Sequence, residues 1–247
     1  MELEVTPAFP TFVGRVLVPD ADAMNQDLRA LILASETEYE TLGRSNIGGW
    51  HSRPDFLHRS DSAVSGLTSW ITWALSQMVR ATTGRRDAFK GTLSLSGWAT
   101  ICRAGSYHAP HSHPDSAWSG VYYVDAGSES PDCPLSGMLE FLDPRAGVEA
   151  VSAPGDPYGE PLRVQPQPGL LVVFPSWLYH WVHPYAGQTP RIAVSFNAAL
   201  GVPAPDQVST GGETATYAIE TSSAQLSSNG TDRAATVEDL NRHVETP

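Results

Sequence analysis

The segment GLLVVFPSWLYHWVHPYAGQTPRIAVSFNAAL, residues 169–200, contains two apolar, β-rich runs that are separated by Pro, Gly and Ser. Similar short runs precede it, namely KGTLSLSGWATICRAG (90–105), WSGVYYVDAG (118–127) and GMLEFLDPR (137–145). Short strands bounded by turn residues are typical of an antiparallel barrel or jelly roll. Residues 90–200 are therefore predicted to form a β core.

Two helices are predicted before this core. PDADAMNQDLRALILASETEY (19–39) begins with Asp residues suited to helix capping and continues with apolar residues at helical spacing. Residues 62–83 give a broader apolar face, and a strand is expected near 11–18. We thus predict one mainly β domain with flanking helices over 1–200, whose helical part spans about 20–85 and whose core spans about 90–200.

The C-terminal residues 201–247 differ in composition from the rest of the chain. They are rich in Ser, Thr, Gly and Pro and have few large apolar side chains. Such a segment buries too little apolar surface to fold alone. We expect a flexible, acidic tail.

The composition limits the classes of partner that the protein can be expected to bind. The 247 residues carry a formal net charge of −12, which disfavours nucleic acid and anionic membranes as partners. Neither a secretory leader nor a transmembrane run is visible, so a cytoplasmic location is expected, with Cys102 and Cys133 as free thiols. The expected partner is a small-molecule substrate, and a homodimer is left open.

The histidines indicate a metal site. Five of the eight histidines lie between residues 108 and 183. On an extended strand His111 and His113 would share one face, and His180 from a distant strand could complete a three-point site with open coordination positions. Non-haem iron uses such a facial arrangement. The register His113-Pro-Asp115 would instead give two histidines and a carboxylate, and strand parity does not choose between His113 and Asp115 as the second ligand. We favour His111, His113 and His180, with Asp115 as contender.

An arginine gives the second signal. Arg191 shares one strand face with Ala193, Ser195 and Asn197, while the alternate residues are apolar. A buried arginine needs an anionic partner because an unpaired buried charge is costly. A guanidinium binds a carboxylate in bidentate fashion, so a carboxylate ligand is expected here.

At these residues the chain resembles the Fe(II)/2-oxoglutarate-dependent oxygenase superfamily, and within it a 2OG-Fe(II) oxygenase subfamily. The motifs are SNIGGWHS (45–52), the segment 97–124 around YHAPHSHPD, LEFLDPR (139–145), and residues 167–197. The resemblance implies a double-stranded β-helix, which is a jelly-roll, cupin-like barrel. It also implies that the cofactors are Fe(II), 2-oxoglutarate and O2.

The resemblance further implies roles for individual residues. His111, His113 or its neighbour, and His180 would hold the iron. Arg191 would bind the distal carboxylate of 2-oxoglutarate, with Ser195 or Asn197 on the same face. The reaction implied is C–H oxidation of a small molecule, such as an amino acid or specialised metabolite, by hydroxylation, desaturation or ring formation.

Other polar and aromatic residues are candidates for the substrate pocket. These are Asn46, Trp50, Trp98, Arg103, Tyr107 and Tyr123. The remaining histidines receive lesser roles: His108 and His183 are interpreted as bystanders or supports, and His51, His58 and His243 as solvent-facing.

Two rival interpretations are weaker. A cupin-type metalloenzyme also uses a His-x-His pair, but it has a glutamate a few residues later, and PDSAW follows His113 here. A cupin would also have no use for Arg191. A metal-free β-barrel binding module is the second alternative, which the presence of all proposed ligands disfavours.

Overall fold

The computed structural model describes residues 3–42, 45–84, 92–152, 154–155, 160–201 and 216–218. The described part contains two α-helices, α1 (Asp22–Glu38) and α2 (Ser62–Thr83). Its strands are β1 (Gly14–Leu17), β2 (Asn46–Ile47), β3 (Trp50–His51), β4 (Thr92–Cys102), β5 (Tyr107–His111), β6 (Trp118–Asp125), β7 (Leu139–Phe141), β8 (Leu162–Val164), β9 (Leu170–Pro175), β10 (His180–Val182), β11 (Arg191–Gly201) and β12 (Thr216–Ala218).

Helix α2 has the predicted bounds. It buries Leu67, Ile71 and Leu75, which recur every four residues and therefore lie on one face. It ends at Gly84, whose backbone has φ +65° and whose N–H donates to the carbonyl of Arg80. Glycine adopts this left-handed conformation without the steric cost of a side chain.

Helix α1 is also where the sequence predicts it, but the expected capping is wrong. The residue before the helix is Ala21, and it makes no side-chain capping hydrogen bond. Asp22 lies inside the first turn instead. There its carboxylate is placed to interact with the positive end of the helix dipole rather than to cap a backbone N–H.

The strands form two antiparallel sheets. The larger has the order β1-β9-β6-β11-β4-β12, with β3 also paired to β4. The smaller has the order β2-β5-β10-β7-β8. Consecutive strands are mostly not neighbours, so residues distant in sequence meet across the sheets.

Strand alternation divides the core into two layers. Ile192, Val194 and Phe196 of β11 belong to a cluster shared with both helices, so this face of the larger sheet is covered by α1 and α2. Ala193 belongs to a second cluster with side chains of β7 and β10, between the two sheets. Arg191 has the same parity as Ala193 and therefore faces the space between the sheets.

The mainly β class with flanking helices is confirmed. The strand expected near 11–18 is β1. Of the predicted tail, Gly201 ends β11 and Thr216–Ala218 pairs with β4 as β12, while the rest lies outside the described residues. Within the described part, no helix combines the length and apolar character needed to cross a membrane.

Candidate active site

Three imidazoles converge between the two sheets. His111 ends β5 and His180 begins β10, and the two residues are direct partners in the antiparallel ladder. His113 follows in the loop, and its Nε2 lies 3.3 Å from Nε2 of His180. One ligand atom from each of the three residues lies within 4.8 Å of the others, and the described residues contain no second such group of His, Cys, Asp or Glu.

Backbone carbonyls fix two of these rings. Nδ1 of His111 lies 2.7 Å from the carbonyl oxygen of Ala109, and Nδ1 of His180 lies 2.8 Å from that of Leu178. A carbonyl only accepts, so each Nδ1 must carry the proton. Nε2 is therefore the unprotonated nitrogen, whose lone pair can bind a metal, as is usual for metal-binding histidines. Nε2 of His111 lies 3.4 Å from Oγ of Ser45, and Nε2 of His180 lies 3.3 Å from Nε2 of His113.

The structure brings together His111, His113 and His180 rather than a pair with Asp115. Strand β5 ends at His111, so the expected shared strand face does not extend to His113. His113 is held by its backbone N–H, which donates to the carbonyl of Ser176 at 2.8 Å. Asp115 follows in a turn with φ +67°, exposed to solvent, and is absent from the close group of potential ligands.

The three histidines are neutral at physiological pH. Burial, and then the charge of His111, lower the pKa of His113 to about 4. Burial and the neighbouring histidines lower the pKa of His180 to about 3, and burial also lowers the pKa of His111. A metal must compete with protons for histidine nitrogens, so these shifts favour metal binding at neutral pH.

A cavity of about 510 Å³ opens around the histidines. Its lining comes from both sheets, including Trp98 of β4, Tyr123 of β6, and Arg191, Ser195 and Asn197 of β11. A volume of this size is ordinary for a small-molecule site.

Arg191 is a buried cation in this cavity. Its exposed fraction is 2%, and among the described residues its Nε has no hydrogen-bond partner. Nη1 lies 3.8 Å from Sγ of Cys102, and Cζ lies 5.0 Å from the centre of the Tyr123 ring. Within the described residues no carboxylate reaches ion-pair distance of it. A buried charge without a counter-ion is costly, so this end of the cavity suits an anionic ligand.

Two further groups lie beside Arg191. The hydroxyl of Tyr123 is buried without a hydrogen-bond partner, and burial raises the pKa of Tyr123. Burial, and then the charge of Arg191, lower the pKa of His108 to about 3. The neutral His108 places Nε2 3.8 Å from Sγ of Cys102 and lines the cavity. The groups beside Arg191 are therefore a hydroxyl and a neutral imidazole, and neither of them carries a negative charge.

The other predicted pocket residues divide into two groups. Trp98 and Tyr123 line the cavity, whereas Asn46, Trp50, Arg103 and Tyr107 do not. Trp50 donates its indole N–H to the carbonyl of Tyr39, and the side-chain amide of Asn46 donates to the carbonyl of Gly49.

Arg103 points to solvent instead of the cavity. Its guanidinium forms a bidentate ion pair with Glu36 of α1, with N–O distances of 2.5 and 2.9 Å, and half of its side chain is exposed. The pair raises the pKa of Arg103, chiefly through the hydrogen bond to Glu36. The ion pair connects the end of β4 to α1. This structural contact explains the presence of Arg103, and no ligand is needed to explain it.

His51 was missed by the sequence interpretation. The expectation that it faces solvent is wrong, since its exposed fraction is 3% and it lines the cavity. Its ring stacks on that of Trp98 at 5.5 Å. The two-residue strand β3 is too short to show alternation, so only its place in the motif SNIGGWHS could have drawn attention to it.

Comparison with known proteins gives the class of enzyme first: the chain is an Fe(II)/2-oxoglutarate-dependent oxygenase, and therefore an oxidoreductase. Residues 96–197 match the model of the family described as "Putative 2OG-Fe(II) oxygenase". Enzymes of this class use Fe(II), 2-oxoglutarate and O2, so the predicted cofactors are confirmed. No curated protein matches the chain by sequence.

Solved structures confirm the double-stranded β-helix fold. A prolyl-4-hydroxylase from Pseudomonas putida is 15% identical, with a TM-score of 0.56 over 78% of this chain and 94% of its own. A Trichoplax adhaerens prolyl hydroxylase in complex with a hypoxia inducible factor peptide is 14% identical, with a TM-score of 0.55 over 76% and 83%. The epimerase SnoN, in complex with Fe3+, alpha ketoglutarate and nogalamycin RO, is 16% identical, with a TM-score of 0.52 over 82% and 88%. At these identities the likeness concerns the fold alone.

Proposed function

We propose that this enzyme hydroxylates a small, polar molecule without net negative charge, using an iron held by His111, His113 and His180. Arg191, with the hydroxyl of Tyr123, holds the distal carboxylate of 2-oxoglutarate. One observation carries the proposal: a buried arginine that lacks a carboxylate partner lines the same cavity as three neutral histidines.

The donor set fits an iron ion. The three neutral imidazoles would each offer one ring nitrogen to an iron ion and would leave coordination positions for other ligands. The carbonyls of Ala109 and Leu178 keep two of these rings in the tautomer that a metal requires. The role of this chain is to present those lone pairs from one side of the cavity.

The buried end of the cavity fits a carboxylate. A guanidinium can donate two parallel hydrogen bonds to it, and the unpartnered Tyr123 hydroxyl can donate a third. Arg191 and Tyr123 are almost fully buried, so the bound carboxylate would be shielded from water. Shielding strengthens the electrostatic attraction.

The remaining lining supports the substrate class. Hydroxyl and amide groups come from Ser96, Ser112, Ser195 and Asn197, and among the described lining residues Asp115 is the one carboxylate. Once Arg191 is engaged by 2-oxoglutarate, the described lining has no further arginine or lysine to attract an anion. A neutral or cationic molecule with hydrogen-bonding groups therefore fits best.

The expected outcome of the reaction is hydroxylation. When bound, iron and 2-oxoglutarate supply the oxidising chemistry, in which one atom of O2 enters the succinate formed with loss of CO2 and the other enters the substrate C–H bond. The protein orients the substrate, holds the 2-oxoglutarate carboxylate and excludes bulk water from the buried end.

An anaerobic titration with Fe(II) and then 2-oxoglutarate, followed by visible absorption, tests the site. We expect a weak metal-to-ligand charge-transfer band, because 2-oxoglutarate would chelate the bound iron. His113→Ala should lose the band, whereas Asp115→Asn should keep it. Iron binding without the band would refute the proposed 2-oxoglutarate site. If Asp115→Asn loses the band and His113→Ala keeps it, Asp115 is the iron ligand in place of His113.

A substrate screen by succinate release tests the chemical class. Neutral and amine-bearing small molecules should stimulate release, and anionic analogues of matched size should not. Products should gain one oxygen atom. Stimulation by anionic molecules only, or a product that has lost two hydrogens instead, would refute the substrate class or the reaction type respectively.

A further inference from the structure

His113 lacks the support that its two neighbours have. The rings of His111 and His180 are each anchored through Nδ1 to the carbonyl two residues earlier. Among the described residues, the one hydrogen-bond contact of the His113 ring is with the ring of His180. His113 also lies in a loop, so strand pairing does not fix its side chain. Something else must orient this ring.

Trp98 provides the missing support. Its ring stacks on that of His113 with centroids 5.8 Å apart and planes 28° apart. His113 also stacks on His180 at 5.2 Å and 10°, and its ring lies 4.9 Å from that of His111 at a steep angle of 63°. The imidazole therefore packs against three rings, of which Trp98 and His180 are near-parallel to it. These separations are in the range of favourable aromatic pairs.

The indole itself is held firmly. Trp98 lies in the middle of β4 and is paired with Ser195 of β11. His51, from β3, stacks behind it with centroids 5.5 Å apart and planes 12° apart. His51 is buried and is itself paired across β3 and β4 with Thr100. The four rings therefore stack pairwise in the order His51, Trp98, His113, His180.

We infer that Trp98, backed by His51, is a positioning residue for the loop-borne ligand His113. Its stacking replaces the hydrogen bond that orients the other two histidines and keeps Nε2 of His113 directed at the metal position. The inference rests on the proposed function, because it concerns one of the three proposed iron ligands. It assigns to Trp98 a role distinct from the substrate contact that the sequence predicts.

The first test uses the metal-free protein and ring ¹H–¹³C correlation spectra of its histidines, assigned with single His→Gln variants. In Trp98→Leu we expect the His113 resonance to shift and broaden, while those of His111 and His180, whose rings are anchored through Nδ1, stay sharp. In Trp98→Phe, which retains a ring, the His113 resonance should stay sharp. A sharp, unmoved His113 resonance in Trp98→Leu would overturn the inference.

The second test measures Co(II) affinity and the Co(II) ligand-field spectrum. Trp98→Leu should weaken Co(II) binding about tenfold, the lower end of the effect of losing a ligand-orienting partner, and should alter the spectrum. Trp98→Phe should stay within about twofold of the original protein, since an aromatic plane remains. The matched control is Trp70→Leu, because Trp70 is a partly buried tryptophan of α2 that packs edge-on against Trp73. Equal losses in Trp98→Leu and Trp70→Leu would show a general packing effect and overturn the inference.

The two proposals can fail separately. If the unmodified protein binds no Co(II), the proposed iron site fails, and the spectra of the metal-free protein still decide the role of Trp98. If Trp98→Leu does not fold, His51→Leu removes the ring behind Trp98 and should move the His113 resonance in the same direction. A His113 resonance that does not change in His51→Leu would then refute the positioning role of the stacked rings.

Discussion

Replacement of Arg191 by methionine separates two effects of the arginine, one on the stability of the fold and one on the binding of 2-oxoglutarate. Arg191 is 2% exposed, its Nε has no hydrogen-bond partner within the described part of the chain, and its guanidinium contacts the Cys102 thiol and the Tyr123 ring. Most buried arginines stabilise their fold through a carboxylate, and their removal is destabilising. Here we expect the opposite, because the charge has no counter-ion until 2-oxoglutarate binds.

The magnitude follows from two opposing effects. Replacing a buried ionic group by an apolar one of similar size is often neutral or stabilising by about 1 to 4 kcal/mol. The cation–π contact with Tyr123 is worth about 2 kcal/mol when desolvated, and the methionine sulfur restores about 0.3 to 1.5 kcal/mol of it. The free energy of unfolding of the metal-free Arg191→Met protein should thus change by between about −2 and about +3.5 kcal/mol, with a gain expected over most of this range.

Binding of 2-oxoglutarate should stabilise the original protein and not the Arg191→Met variant. At a hundredfold excess over its Kd, a ligand stabilises the folded state by about 2.7 kcal/mol. For a chain of this size each kcal/mol raises Tm by about 2 to 4 °C. The Mn(II)-loaded original protein should therefore gain about 5 to 11 °C with 2-oxoglutarate, and Arg191→Met should gain almost nothing.

The assay is thermal and urea unfolding of both proteins, with and without 2-oxoglutarate. Arg29→Met is the matched control, because Arg29 forms an exposed ion pair with Asp125 at 3.0 Å and lies outside the cavity lining. It should keep the full 2-oxoglutarate shift. A loss of more than about 3 kcal/mol in metal-free Arg191→Met, the cost of breaking a buried ion pair, would show that the arginine is already satisfied. A full 2-oxoglutarate shift in that variant would show that the co-substrate binds elsewhere.

Three further predictions concern neighbouring groups. Tyr123→Phe should leave the free energy of unfolding of the metal-free protein within about 0.5 kcal/mol, since the hydroxyl has no partner to lose, and should weaken 2-oxoglutarate binding measured by calorimetry; unchanged binding would contradict the contact. The pKa of His113 is lowered to about 4 and that of His180 to about 3, so the unfolded chain takes up protons first as the pH falls below 6.5. Urea unfolding of the metal-free protein should then show a loss of about 1 kcal/mol per histidine between pH 6.5 and 5.5, and a flat profile would refute these shifts. Glu140→Gln should cost about 1 to 2 kcal/mol in chemical unfolding, because the buried carboxylate accepts hydrogen bonds from Arg163, Trp181 and His183; no loss would mean that water replaces it.

The sequence was most informative where a period extends over many residues. Helix α2 shows its apolar spacing over six turns, and its predicted and observed bounds agree. The eleven residues of β11 show clear alternation, which correctly placed Arg191 on the opposite face from Ile192. Local periodicity is a property of the segment itself, so it can be deduced from the segment alone.

The sequence was least informative where position depends on long-range pairing. The strands β2 and β3 have two residues each, too few to show which face Asn46, Trp50 or His51 occupies. Trp50, predicted to contact substrate, packs in the core, whereas His51, predicted to face solvent, lines the cavity. Arg103 was assigned to the substrate pocket, but Glu36, far away in the chain, draws it outward. Such outcomes depend on partners that no local pattern reveals.

The pairing of His111 with His180 has a consequence for metal binding. These residues lie on separate strands and face each other in a ladder whose register shifts just beyond them, between His180 and Val182. A slip of one residue in either strand would turn one imidazole to the opposite face of the sheet. A chain paired in the wrong register would therefore present only part of the three-histidine group, so the capacity to bind a metal depends on the native pairing of β5 with β10.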